Sequence, residues 1–398
     1  MLKLSSVASS SRPNISSDSL FPLFFFFSSS RPVSSLTSVP PLVDDKEEEY
    51  DELKNMYAVA YVSQTFFNAW QGMALLDFHM VTTHISSISN IYFHDGAIGS
   101  SSNCNANVRV ISDSPSAILH LSKVLWKTSA RAVSHDSCPL TVYVASSISQ
   151  GIVDAIGLRA QGNSGLIAAD IERSSLILCG KASADTNGTK EALAALSGPI
   201  IGARGGLPLL ARLLVSGDSL IVIFAPEDTI RSCAGKLVSA DAGVILSSQG
   251  VAPYFQTWNF GDPGPSKFPS AVVFATSDSS RTIPSISKLS PCQAAYHFLA
   301  GYQNGKFVPA YSNSPSSIDP LELAKALSSK LKDNQISSFL VNVKEGEKSL
   351  TGHHFLTLVQ SSLSGNVAPF QPKGGDLEEK YQSFLSTKFQ EIPEEFLF

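Results

Sequence analysis

Positive charge is in short supply: 29 lysines and arginines stand against 34 acidic residues in 398, a formal net charge of −5. That balance leaves no basic footprint for nucleic acid. Cysteine is scarce too. Cys104, Cys138, Cys179, Cys233 and Cys292 are scattered, with no Cys-x-x-Cys or Cys/His spacing. An odd, dispersed set argues against a disulfide framework and fits a reducing compartment. The bland reading makes all five small buried thiols. Cys292 falls in the first turn of an expected helix, where a thiolate is favoured, but no base accompanies it. Long apolar runs are missing as well. Phe21–Phe27 is too short to span a bilayer and is interrupted by Pro22, with no Ala-x-Ala site after it.

Acid is nearly absent from the first 42 residues, which hold Asp18 alone beside Lys3, Arg12, Arg31 and many serines. A basic, hydroxylated, acid-poor leader has the composition of an organelle transit peptide. Serine abundance with few arginines points to the chloroplast, with the mitochondrion as the alternative. The acidic run Asp44–Glu49 reads as a solvated hinge after it.

The remainder, in a chain 43% hydrophobic, suffices for one large domain or two ordinary ones. A loosely helical pattern covers Glu47–Met80, anchored on Met56, Val59, Phe66, Phe67, Trp70 and Leu75. Strands are expected at Asn90–His94, Val108–Ile111, Leu140–Val144, Leu166–Ala169, Leu176–Cys179, Ser219–Phe224, Ala271–Ala275 and Phe339–Val343. The Ser219 and Ala271 runs are continuous enough to be buried on both faces. Ser114-Pro115 opens one helix and Thr189–Leu196 forms another. Ser290-Pro291-Cys292-Gln293 carries an N-cap hydroxyl, a proline at the first helical position and a glutamine two residues later, and Asp319-Pro320-Leu321-Glu322 repeats the device. Interleaved strands and helices predict mixed α/β sheets.

In order along the chain, Ala271–Asp278, Ile283–Leu289 and Tyr296–Tyr302 resemble ATP-dependent phosphoenolpyruvate carboxykinase. There a strand ending in an acidic tract leads to "PPVSKL" and then to a helix ending "YHFISGYT". Ile318-Asp319-Pro320 is similar to that family's "LHP", Phe339–Asn342 to its "YLINTG", and Ile91–Ile111 with Leu119–Lys127 to its "KVRVVSARAYHSLF". The likeness runs from about Ile85 to Ser361. It implies a mixed-sheet carboxykinase-like α/β fold, truncated. The corresponding parts are a leader over 1–42, a linker with helices over 43–84, an N-terminal unit over 85–215, a nucleotide-binding-like unit over 216–361, and an acidic tail or helix over 362–398.

The departures fall where the resemblance would place chemistry. The family's "GLSGTGKTTLS" phosphate loop corresponds to Ala225–Cys233, so Arg231 stands for the phosphate-binding lysine and Ser232 for the metal-binding threonine, with Thr229 beside them. Ala225, Asp228 and Ile230 replace the loop glycines. A phosphate cradle needs convergent backbone N–H groups, which proline cannot donate. Glu227 and Asp228 place anions where the helix start would attract phosphate. The family's "GEM" lysine corresponds to Lys190. Its metal histidine falls near Leu209, and no histidine occurs between Lys190 and Phe224. Its metal aspartate falls in Ile245–Gln249, which has no carboxylate, although Asp241 is nearby.

The "TGRSPKDK" segment has no counterpart, and the stretch before "HPKN" shrinks to Gly250–Lys267. Arg204, flanked by Gly202, Gly205 and Gly206, is the remaining cation of interest. It is either ligand-facing or part of a turn.

The reading that results is an inactive carboxykinase-like protein with a scaffold or small-ligand role. Its ligand would be a small anion or its partner another protein, with no nucleic acid, membrane, cofactor or metal. The alternative is an active enzyme converting oxaloacetate and ATP to phosphoenolpyruvate, ADP and CO2, using Mg²⁺ or Mn²⁺.

Overall fold

The computed structural model describes residues 26–27, 58–60, 71–101, 103–128, 140–147, 166–170, 173–216, 218–233, 237–239, 242–257, 267–280, 282–303, 305–310, 318–345, 348–371, 376–396 and 398. Most of the expected leader, the acidic hinge, Met56, Phe66, Phe67, Trp70, Cys138 and Asp241 lie outside these residues. The fold is mixed α/β, as the strand and helix pattern predicts.

The first sheet has eight strands: β1 (Phe26–Phe27), β2 (Ala58–Ala60), β3 (Tyr92–Ile98), β4 (Ala106–Ser112), β5 (Trp126–Lys127), β6 (Leu140–Ala145), β7 (Leu166–Asp170) and β8 (Ser175–Cys179). β4, β6 and β8 run parallel, β3 and β7 flank them antiparallel, and β1 and β2 add to the outer edge of β7. Phe26–Phe27, within the expected leader, form one of these short strands, from a phenylalanine run with strong β preference. Alternation sorts the side chains. Val108 and Val110 of β4 and Val142 and Val144 of β6 face a core shared with the helices Pro115–Ser122 and Thr186–Ala203. The opposite face is covered by Val81 and Ile85 of the helix Gln71–Ser87. That helix starts later than the pattern over Glu47–Met80 implied.

The second large sheet has the order β12 (Leu237–Ser239), β10 (Arg212–Ser216), β11 (Ser219–Phe224), β15 (Ala271–Thr276), β19 (Ser337–Asn342), β16 (Ile286–Leu289). β11, β15 and β19 are parallel and central, as their unbroken apolar runs require. Leu220, Val222, Phe224, Val272, Phe274 and Leu340 point into the core under the helices Pro291–Leu299, Pro320–Asp333 and Leu377–Lys388. Ile221, Ile223, Val273, Phe339 and Val341 point to the other face, under Glu227–Ser232 and Gly352–Ser364. The expected boundary at 215/216 falls inside the β10–β11 hairpin, where Ser216 pairs with Ser219.

A three-stranded sheet, β14 (Gly250–Pro253), β13 (Val244–Ser247), β9 (Leu207–Leu209), joins the two halves. Val244 and Leu246 pack into the core of the second sheet while Ile245 between them packs into that of the first. One short strand therefore cements both. Trp126 Nε1 donates to the carbonyls of Pro253 (3.3 Å) and Tyr254 (3.0 Å) across the same junction. Two small hairpins complete the strands, β17/β18 (Tyr302–Gln303, Lys306–Phe307) and β20/β21 (Lys344–Glu345, Lys348–Ser349).

Helix starts follow their capping residues. Ser290 Oγ accepts from Gln293 N (3.1 Å) and Gln293 Oε1 accepts from Ser290 N (3.0 Å), a closed capping box. Asp319 accepts from Leu321 N at 3.1 Å. Within 362–398, expected to be an acidic tail or helix, Leu377–Lys388 is helical, and Leu377, Tyr381 and Leu385 of that helix are buried in the core.

Candidate functional site

In an open sheet with parallel central strands, the crevice outside their carboxyl ends is the natural ligand position. β11 and β15 run side by side, so the residues after Phe224 and Phe274 share that edge. A cavity of ≈ 120 Å³ opens there. Its wall includes Phe224 and Phe274, whose rings stack at 4.9 Å and 8°. The Thr276 hydroxyl, also in the wall, donates to the Tyr302 carbonyl at 2.8 Å.

The turn after β11 determines what the edge offers. Pro226, at φ −56° and ψ 149°, occupies the N-cap position without a side-chain cap, and the helix that follows has six residues. Glu227 and Asp228 fill its first turn, and Ile230 is the residue that anchors it in the core. The Glu227 carboxylate lies 3.6 Å from Arg212 Nη2 and 3.7 Å from Arg231 Nε. Arg231 itself is 73% exposed. Thr229 is half-buried and its carbonyl accepts from Ser232 Oγ at 2.7 Å. Ser232 is exposed, and its carbonyl abuts Gly352, where an added Cβ would overlap it.

Lys190 and Arg204 lie on the same helix, but fourteen residues apart, which at 1.5 Å per residue separates their backbones by about 21 Å. They cannot meet one small substrate. Arg204 is the C-cap, and its Nη1 donates to Asn105 O at 2.6 Å and Asn105 Oδ1 at 3.2 Å. Gly206 N reaches Ile201 O and Gly205 N reaches Gly202 O, both at 2.9 Å, with Gly205 at φ +78°. Those two bonds form a Schellman helix stop, so the glycines around Arg204 do helix-ending work. Glu191, next to Lys190, has its carboxyl raised by burial and by Asp185, against the pull of Arg212.

Hard divalent cations require charged oxygen donors. Leu209 is a buried strand residue, and Ile245–Gln249 offers hydroxyls and an amide, the latter accepting from Ser101 Oγ at 2.6 Å. Among the described residues no cluster of three potential metal ligands occurs. These positions do not fit such a cation. Cys104, Cys179 and Cys233 are buried and Cys292 half-buried.

Of the cavity wall, the sequence reading singled out the loop residues Ala225–Glu227 but not the surface they form with the other segments. Its residues looked like strand ends and a loop, and only the pairing of β11 with β15 brings them together. It likewise missed His297, 2% exposed, whose ring lies edge-on to Phe370 (5.2 Å) and Tyr381 (5.5 Å) with neither nitrogen hydrogen-bonded.

The sequence pattern of the family described as phosphoenolpyruvate carboxykinase matches residues 252–357. That stretch carries β15, β16, β19 and the helices between them. Over this stretch the chain is similar to the phosphoenolpyruvate carboxykinase family.

Three curated carboxykinases illustrate the likeness, each named phosphoenolpyruvate carboxykinase (ATP). That of Leptospira biflexa serovar Patoc (strain Patoc 1 / Ames) is 30% identical over 130 residues, which is 29% of this chain and 24% of the relative. That of Bacillus mycoides (strain KBAB4) is 28% identical over 156 residues, 34% and 30% respectively. That of Geobacillus kaustophilus (strain HTA426) is 31% identical over 130 residues, 29% and 25%. The chain thus covers less than a third of the length of these carboxykinases. The Ala225–Ser232 turn lies outside the stretch that the carboxykinase pattern matches.

Proposed function

We propose that this protein keeps a carboxykinase-like fold without Mg²⁺·ATP phosphoryl transfer, and serves as a small-ligand-binding or scaffold protein. The observation that carries the reading is Glu227. It begins the short helix after β11, at the edge where a transferred phosphate would need donors, and is paired with Arg212 and Arg231. At an exposed position such as Glu227, two like charges about 4 Å apart repel by about 1 kcal/mol. One exposed arginine–phosphate contact returns about 1 kcal/mol or less. Pro226 adds no N–H, and the positions that would hold the offsetting cation carry no charged oxygen. We also place the protein in an organelle, the chloroplast ahead of the mitochondrion, on the acid-poor leader. A fluorescent fusion retained in the cytosol would contradict that placement.

The functional test is phosphoenolpyruvate formation from oxaloacetate with Mg²⁺·ATP or Mn²⁺·ATP. The expected rate equals that of buffer. Protein-dependent phosphoenolpyruvate that disappears in Arg231→Ala would establish an active carboxykinase instead.

A further inference from the structure

The cavity at the carboxyl ends of β11 and β15 is a definite size and a definite polarity. An apolar protein cavity of about 150 Å³ holds one benzene molecule, so ≈ 120 Å³ with an open mouth suits a single ring whose substituent projects outward. Phe224, Phe274 and Val308 give the wall apolar faces, within a lining whose exposed surface is more polar than apolar and which includes His297, both of whose ring nitrogens are unbonded. Thr276 has its hydroxyl committed to Tyr302, while Gln303 offers an uncharged amide.

Charge decides the rest. Among the described residues, Glu227 is the one aspartate, glutamate, lysine or arginine in the wall, and neither Arg212 nor Arg231 is part of it. Glu227 is 57% exposed, which puts its carboxylate at the mouth. Of the charged groups gathered there, the Glu227 carboxylate belongs to the wall, while Arg212 Nη2 at 3.6 Å and Arg231 Nε at 3.7 Å pair with it from outside the lining.

We propose that this cavity binds one planar six-membered ring bearing an uncharged or cationic hydrogen-bond donor directed at Glu227. The proposal rests on the small-ligand reading above, and replaces the small anion expected from sequence by a ligand of the opposite preference.

Benzamidine, benzamide and benzoate share one ring and differ in charge, so they serve as probes. Calorimetry on the full chain should rank benzamidine tightest and benzamide next, with benzoate roughly tenfold or more weaker than benzamide. Glu227→Gln should bring benzamidine down to the affinity of benzamide. Ala310→Leu, which fills the cavity from a half-buried loop, should abolish binding of all three. Val308→Phe on the same loop provides a second filling substitution should the first not fold.

Benzoate binding as tightly as benzamide, no probe binding at millimolar concentration, or binding unaffected by a folded filling variant would each overturn the proposal. Mg²⁺·ATP is run as a competitor. Displacement of benzamide by Mg²⁺·ATP would overturn the reading that ATP binding is lost, while leaving the ring preference standing. A failed probe series with no response to Mg²⁺·ATP would overturn the ring site alone.

Discussion

Asn342 and Asp278 hold each other reciprocally: Asn342 Nδ2 donates to the Asp278 carbonyl at 2.9 Å, and Asp278 N donates to Asn342 Oδ1 at 3.0 Å. The Asp278 carboxylate accepts from Ser280 N and Ile283 N, both at 2.8 Å. The loop leaving β15 is therefore tied to the end of β19, beside the cavity. Removing one side chain leaves several buried groups without partners, at about 1–3 kcal/mol each. Asn342→Ala should lose about 3 kcal/mol in urea unfolding. A loss below about 1 kcal/mol would mean the network is slack.

His297 makes a pH prediction whose sign is fixed by burial. Its pKa is lowered to about 3 because the ring is buried, among Tyr296, Tyr381, Phe370 and Phe398. Between about pH 6.5 and 3 the unfolded chain binds a proton at this residue that the folded chain refuses. Stability should fall as pH drops through that window, by up to about 1.4 kcal/mol per pH unit from this residue. His297→Phe should show a shallower pH dependence below 6.5. Identical slopes in the two proteins would contradict the buried neutral ring.

Two glycines should respond for different reasons. Gly352→Ala pushes a Cβ against the Ser232 carbonyl and should cost about 1–3 kcal/mol by overpacking. Gly205→Ala meets no atom within 4 Å but must hold φ +78°, at about 1–2 kcal/mol. Thermal unfolding of both variants checks the pair, and an unchanged Gly352→Ala protein would mean that the two helix ends do not touch.

Leu385→Ala tests whether the last helix belongs to the core. Leu385 is fully buried, so truncation should cost about 2–5 kcal/mol. A surface tail would lose almost nothing.

That helix also shows where the sequence stopped being legible. Its composition is acidic and polar, and its core contact is a narrow stripe at 377, 381 and 385, spaced four apart, which composition averages away. β9, β13 and β14 were missed because each has only three or four residues and two contain proline. By contrast, β11, β15 and β19 were readable because strands covered on both faces must be apolar throughout. The Ser290 box and the Asp319 cap were readable because capping needs particular residues at fixed offsets. Arg231 and Ser232 were located on a strand–turn–helix, but their exposure was not in the sequence. The cavity was not legible as a whole, since its wall comes from short segments scattered between Leu210 and Leu340.

The central claim is that the edge after β11 no longer accepts Mg²⁺·ATP. Titration calorimetry of the protein with Mg²⁺·ATP and Mn²⁺·ATP, repeated on Arg231→Ala, tests it most directly. The account predicts no binding heat in either protein, whereas micromolar affinity in the parent chain that is lost in Arg231→Ala would contradict it.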